Sequence, residues 1–196
     1  MKKTILGSFV LLTILLINSS CSSSSTSTGS ITAKFSYELD GVPYSNTIQL
    51  PTSNPTVIQG VCGYTTADQG IVGISLSMPK STDPAIIISI PANPRQGSFS
   101  ITPSSVNTNA SYAQIQWQPS PTIVKMYNSY LGTGNNSNFT VNITSYDPRS
   151  ALNNPNYLTN PTNIGLVKGT FSGTLFNTSG QKVTITNGSF EAINLK

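Results

Sequence analysis

Only 8% of the 196 residues are charged, against a usual ~25%, so Ser, Thr and Asn carry most of the polarity. Ten Lys and Arg face six Asp and Glu, a formal +4, and setting aside Lys2 and Lys3 leaves +2 with the bases scattered. That excludes the basic cluster a nucleic-acid partner requires, and the absence of His with only two Cys removes the usual zinc ligands.

The chain opens with Lys2-Lys3, a mostly apolar run from Ile5 to Ile17, and the small residues Asn18-Ser19-Ser20 before Cys21. About a dozen apolar residues suffice for a signal-peptide core but fall short of a ~20-residue membrane span. The pattern resembles a bacterial lipoprotein signal, in which the cysteine after the cut carries lipid. It departs from that signal in having Asn18 where Leu is usual, while Ser19 and Ser20 fit. The resemblance implies a signal peptide over 1–20 and a lipid anchor on Cys21. Two or three acyl chains hold a protein durably, since each buried methylene contributes about 0.8 kcal/mol. The alternative is an ordinary signal peptide, with Cys21 left as a free thiol.

Ser22 to Ser30 is a low-complexity Ser/Thr tract, expected to act as a tether spanning on the order of 15 Å. Residues 31–196 are then one domain of a size that supports a core. Ile31 to Leu50 reads as a hairpin about Asp40-Gly41, with Ala33, Phe35 and Tyr37 on one face. Thr56 to Thr65 and Gly70 to Met78 form a second pair. In the first of these, Cys62 lies among apolar residues and is expected to pack in the core. Pro84 to Ile90 is an apolar run short and β-branched enough for a strand buried on both faces.

Ser98 to Thr102 is a short strand. Ser111 to Gln118 alternates Tyr112, Gln114 and Gln116 with Ala113, Ile115 and Trp117, and Pro119 and Pro121 are expected to end it. Thr122 to Tyr127 follows, then a Gly/Asn-rich loop and the alternating Phe139, Val141 and Ile143. Residues 147–163 form the longest stretch without a strand signal, and such loops are often functional. Gly165 to Phe176 and Gln181 to Leu195 read as paired strands about Thr178-Ser179-Gly180. Asn187-Gly188 reads as a turn or a bulge, and the switch of apolar parity between Ile185 and Phe190 fits a bulge that reassigns faces. No segment after the leader has helical periodicity. The expected architecture is an all-β antiparallel sandwich of about ten strands.

Two segments carry a resemblance. Phe35-Ser36-Tyr37-Glu38-Leu39-Asp40-Gly41-Val42-Pro43-Tyr44 and the closing GTFSGTLFNTSGQKVTITNGSFEA are similar to the ends of small Bacteroidetes-type lipoproteins with an uncharacterised all-β domain. The resemblance covers about a quarter of the chain and implies location and fold rather than an activity. It places the domain at the outer membrane. Surface-exported members often carry acidic residues after the cysteine, and Ser22 to Ser25 has none, which favours the periplasmic face.

Catalytic signals are sparse. The six carboxylates of the mature chain are Glu38, Asp40, Asp68, Asp83, Asp147 and Glu191, and most sit in turn contexts, so a glycoside hydrolase ranks third among the readings. Ser77-Met78-Pro79-Lys80 matches S-x-x-K without its companion motifs. Met78 and Met126 read as core filler rather than haem ligands. No cofactor or metal is therefore expected. Trp117, Tyr112, Tyr127, Tyr130, Tyr146 and Tyr157, interleaved with Asn, Gln and Thr, are candidate ligand-binding residues, against the alternative that they pack the core with their hydroxyls at its rim. The expected function is a non-enzymatic envelope lipoprotein binding a glycan or protein partner. Its alternative is an assembly component that binds only proteins.

Overall fold

The computed structural model describes residues 30–51, 61–67, 71–91, 96–101, 112–129 and 137–195. The leader, Cys21, the tether before Ser30 and Tyr130 lie outside these residues, as does the side chain of Cys62. The strands are β1 (Ile31–Leu39), β2 (Val42–Leu50), β3 (Val61–Ala67), β4 (Ile71–Ser77), β5 (Ala85–Pro91), β6 (Gly97–Ile101), β7 (Tyr112–Ser120), β8 (Ile123–Asn128), β9 (Asn138–Tyr146), β10 (Leu166–Phe176) and β11 (Lys182–Asn194). Among the described residues a single 3-10 turn, Ala151–Asn153, is the only helical element. The protein is all-β, and its pairings are antiparallel except β11 with β3.

Local chemistry explains the hairpins. Asp40 and Gly41 have φ of 50° and 82°, the left-handed pair that a two-residue turn needs to match strand twist. The Asp40 carboxylate accepts from Thr184 N at 2.7 Å and its own N–H donates to Thr184 O at 2.8 Å. The turn is thereby tied to β11. The β7–β8 hairpin departs from expectation, because β7 runs through Pro119 to Ser120 before turning. Its ladder with β8 is irregular between Trp117 and Ser120, where a residue without an N–H is tolerated.

Six strands lie side by side in the order β2-β1-β11-β10-β9-β6, and five more in the order β3-β4-β5-β7-β8. The two sets join at β11–β3, through Ile193↔Gly63 and Asn194↔Tyr64, and at β8–β10, through Phe176↔Asn128. The architecture is thus a curled antiparallel sheet whose two halves join at two corners. It wraps one core that draws on β1, β4, β5, β7, β9, β10 and β11. Tyr37 of β1 crosses this core and donates its hydroxyl to the carbonyl of Pro84, beside β5, at 2.6 Å. In β5, Ile86, Ile88 and Ile90 are fully buried, while on the outer face Ser89 is buried and Ile87 half-buried, so this strand is covered completely on one face and partly on the other.

The centre of the sheet is the β10–β11 ladder. Gly169 stands opposite Phe190, and Phe171 opposite Gly188. Each ring lies over the glycine across from it: a methyl on Gly169 would sit 2.6 Å from Phe190 Cζ, and one on Gly188 2.6 Å from Phe171 Cδ2. Phe171 also meets Tyr37 and Phe139, with ring centroids 6.1 and 6.2 Å away. The parity switch in β11 occurs at Asn187, which has φ of 53°, a conformation Asn tolerates better than most residues. One extra residue there lets Val183 and Ile185 on one side, and Phe190 and Ala192 on the other, all face the core.

Residues 147–165 close the edge of the core. Ala151 and Ile164 are buried, and Tyr157 and Leu158 pack against the cluster. The base of this loop is pinned, because Asn194 Nδ2 donates to Asp147 O at 2.8 Å and Gly165 N to Arg149 O at 2.8 Å. Asn154 Nδ2 spans it by donating to Asn160 O at 2.6 Å.

Replacing Gly188 with Ala is expected to cost about 1–3 kcal/mol, the usual penalty of overpacking, read as a lower denaturation midpoint. An unchanged midpoint would contradict the close approach of Gly188 to both the carbonyl oxygen and the ring of Phe171.

Candidate functional site

The alternation that buries one face of β6, β9, β10, β11, β1 and β2 leaves Ser, Thr and Asn on the other. Register aligns these side chains into a row. Ser98 stands opposite Asn142, Asn142 opposite Thr170, Thr170 opposite Ser189, Ser189 opposite Ser36, and Ser36 opposite Ser45. All six are exposed. At about 4.8 Å between strands, the row extends roughly 24 Å across the sheet. Ser36 and Ser189 share a hydrogen bond of 3.0 Å between their hydroxyls.

Two adjoining clefts lie along this row and meet at Ser189. One, of about 380 Å³, is lined by Thr140, Asn142, Thr170, Ser172 and Asn187 among others. The second, of about 480 Å³, is lined by Ser36, Ser45, Thr47, Thr144 and the charged group Lys34, Glu191 and Lys168. Lys34, Glu191 and Lys168 are cross-strand neighbours on β1, β11 and β10. Lys34 Nζ lies 3.2 Å from Glu191 Oε1 and Lys168 Nζ 2.9 Å from Oε2. The Lys168 hydrogen bond, assisted by Lys34 and opposed by partial burial, holds the Glu191 carboxyl below its ordinary range. Asp147 is likewise pushed down, chiefly by the side-chain hydrogen bond from Arg149. The Arg149 guanidinium grips both carboxylate oxygens, with Nη2 2.5 Å from Oδ2 and Nε 3.0 Å from Oδ1.

The aromatic candidates fall elsewhere. Trp117 stacks on Tyr127 with centroids 5.7 Å apart and 14° between planes, and Lys125 Nζ lies 5.6 Å from the Trp117 centroid, within cation–π reach. Tyr127 is a core residue, and Trp117, Tyr146 and Tyr157 pack partly buried against the core. Burial raises the Tyr157 hydroxyl above its ordinary pKa. Tyr146 sits opposite Val167 because an irregularity at Lys168–Gly169 shifts the end of β9. Tyr112 stands on β7 opposite Ser89, half-buried on the polar outer face of the five-stranded half. Trp117 also lines a third cleft, of about 400 Å³, with Met78, Lys80, Gln118, Val124 and Met126.

Among the described residues no group of three or more His, Cys, Asp or Glu is placed to hold a metal, and no helix is long and apolar enough to cross a membrane. Reading the sequence for chemistry singled out the aromatics and missed the polar row. The signal lay in the alternating Ser, Thr and Asn of Asn138–Tyr146, Leu166–Phe176 and Ile31–Leu39, once their partners were known. Compared with protein-family models, curated proteins and solved structures, the chain matches none.

The two depressed carboxyls set the acid response. Their folded forms protonate at lower pH than the unfolded chain, so the stability they contribute is present above the ordinary carboxylate range and lost as pH falls through it. Exposure and salt keep the effect modest. The thermal midpoint should fall between about pH 6 and pH 3, and fall less in a Glu191→Gln/Asp147→Asn variant. Equal slopes would contradict this.

Proposed function

We propose that this chain is a cell-envelope lipoprotein of the small Bacteroidetes type, anchored by lipid on Cys21 at the periplasmic face of the outer membrane. Its β domain is a binding module that holds a glycan without transforming it. The observation that carries the binding reading is the exposed row Ser98, Asn142, Thr170, Ser189, Ser36 and Ser45, bordered by two clefts. A polyhydroxylated chain needs many donors and acceptors at a regular spacing, already ordered, since preorganisation limits the entropy lost on binding. A rigid sheet presents them so. The non-catalytic reading draws on the carboxylates. A glycosidase acid keeps its proton near neutral pH through a raised pKa, whereas Glu191 and Asp147 are pushed down by cations.

A second reading, an assembly component that binds only proteins, is favoured by the β7–β8 hairpin. There Ile123 is 51% and Val124 63% exposed, beside the Trp117 cleft. Exposed apolar side chains flanked by polar ones mark protein contacts.

Two measurements test the proposal. Fatty-acid labelling of the cells should mark the wild type and not Cys21→Ala; equal labelling would remove the anchor. On a glycan array, Asn142→Ala/Thr170→Val should weaken binding about tenfold, as expected for two lost hydrogen bonds, while Val124→Asp leaves it intact. Absence of any glycan signal, with Val124→Asp releasing a protein partner, would favour the second reading.

A further inference from the structure

Resting on the glycan-binding reading of this face, we infer that its ligand is an acidic oligosaccharide, with a sugar carboxylate seated at Lys34 and Lys168. The polar row itself is uncharged and selects only for hydroxyls. At one end of the 480 Å³ cleft, however, two lysines share one glutamate. Three adjacent strands carry them in the order Lys34, Glu191, Lys168, so that within this trio two ammonium groups face one carboxylate. Each ammonium contacts a different oxygen of Glu191, so the carboxylate fixes the two cations on either side of itself. Their side chains remain 56% and 46% exposed, so both stay open to a ligand from solvent. An ammonium group has three donors, and a second carboxylate would make the site electroneutral.

The surrounding hydroxyls suit the rest of such a ligand. Ser36, Ser45, Thr47, Thr144 and Ser189 line the same cleft, within reach of the hydroxyls of a sugar whose carboxylate is held by the lysines. The other carboxylate on this part of the face, Glu38, lies four residues along β1 from Lys34, about 13 Å away. It accepts from Thr186 at 3.1 Å, so it borders the ligand path without opposing the anion at the lysine pair. From there towards β6 the row is neutral, which sets a chain with hydroxyls throughout and a charge at one end or at intervals.

Calorimetric titration of the soluble domain with an oligogalacturonate and with a neutral gluco-oligosaccharide of equal length tests the inference. The acidic chain should bind at least tenfold more tightly, and the advantage should shrink as salt is raised. Lys34→Gln/Lys168→Gln should abolish the difference by weakening the acidic chain at least tenfold. Glu191→Gln, which removes the competing anion, should strengthen acidic binding several-fold, an effect that a purely structural role for the ion pairs would not produce. Equal affinity for both chains, or acidic binding indifferent to the lysines, would overturn the inference and leave the glycan reading standing. Failure to bind either chain would overturn both.

Discussion

Two phenylalanines laid over two glycines hold the middle of this sheet. Gly169 faces Phe190 and Gly188 faces Phe171, and neither glycine has room for a methyl group. Side chains alternate strictly along a strand, so turning the rings inward turns Thr170 and Ser189 outward, directly opposite one another. A slip of one residue would move every ring to solvent. The same constraint propagates through the ladders: β1 follows β11 and presents Ser36, and β9 follows β10 and presents Asn142. The polar face is therefore the outer consequence of how the core is packed.

Curling keeps that face open. Because β3 and β8 join the ends of β11 and β10, the five-stranded half covers the apolar side of the six-stranded half and leaves its other side to solvent. Tyr37 fastens the halves across the core, and its burial, with the nearby Tyr44 and Asp83, pushes its hydroxyl pKa well up, keeping it a donor to Pro84. The loop over 147–165, pinned through Asp147, Gly165 and Asn194, caps the core edge. Its ordering contacts suit a structural role.

Much of the fold was legible. Alternating apolar residues marked β1, β7 and β9, Asp40-Gly41 marked its turn, and the parity conflict between Ile185 and Phe190 pointed to Asn187-Gly188, where of the turn and the bulge left open it is the bulge that forms. Those signals are local. The corner pairings are not, since Ile193 meets Gly63 and Phe176 meets Asn128 across long stretches of chain, through strand ends that no periodicity singles out. The candidate site was hidden for a related reason. Ser, Thr and Asn alternate almost everywhere in this chain, so only register reveals which of them line up. Lys34 and Lys168 looked scattered, yet both are brought to Glu191. In a chain with so few charges, that convergence was the one available clue. The aromatic residues drew attention because rings are conspicuous in sequence, whereas Trp117 and Tyr127 are engaged with each other and with the core.

The central claim is that ligand binding belongs to the outer face of β9, β10, β11 and β1. The direct measurement is an amide NMR titration of the isotope-labelled domain with an oligogalacturonate, following each backbone signal. The account predicts shifts at Asn142, Thr170, Ser189, Ser36 and Lys34, with the Trp117 indole unchanged. Shifts confined to Trp117, Val124 and their neighbours on the β7–β8 hairpin would contradict it.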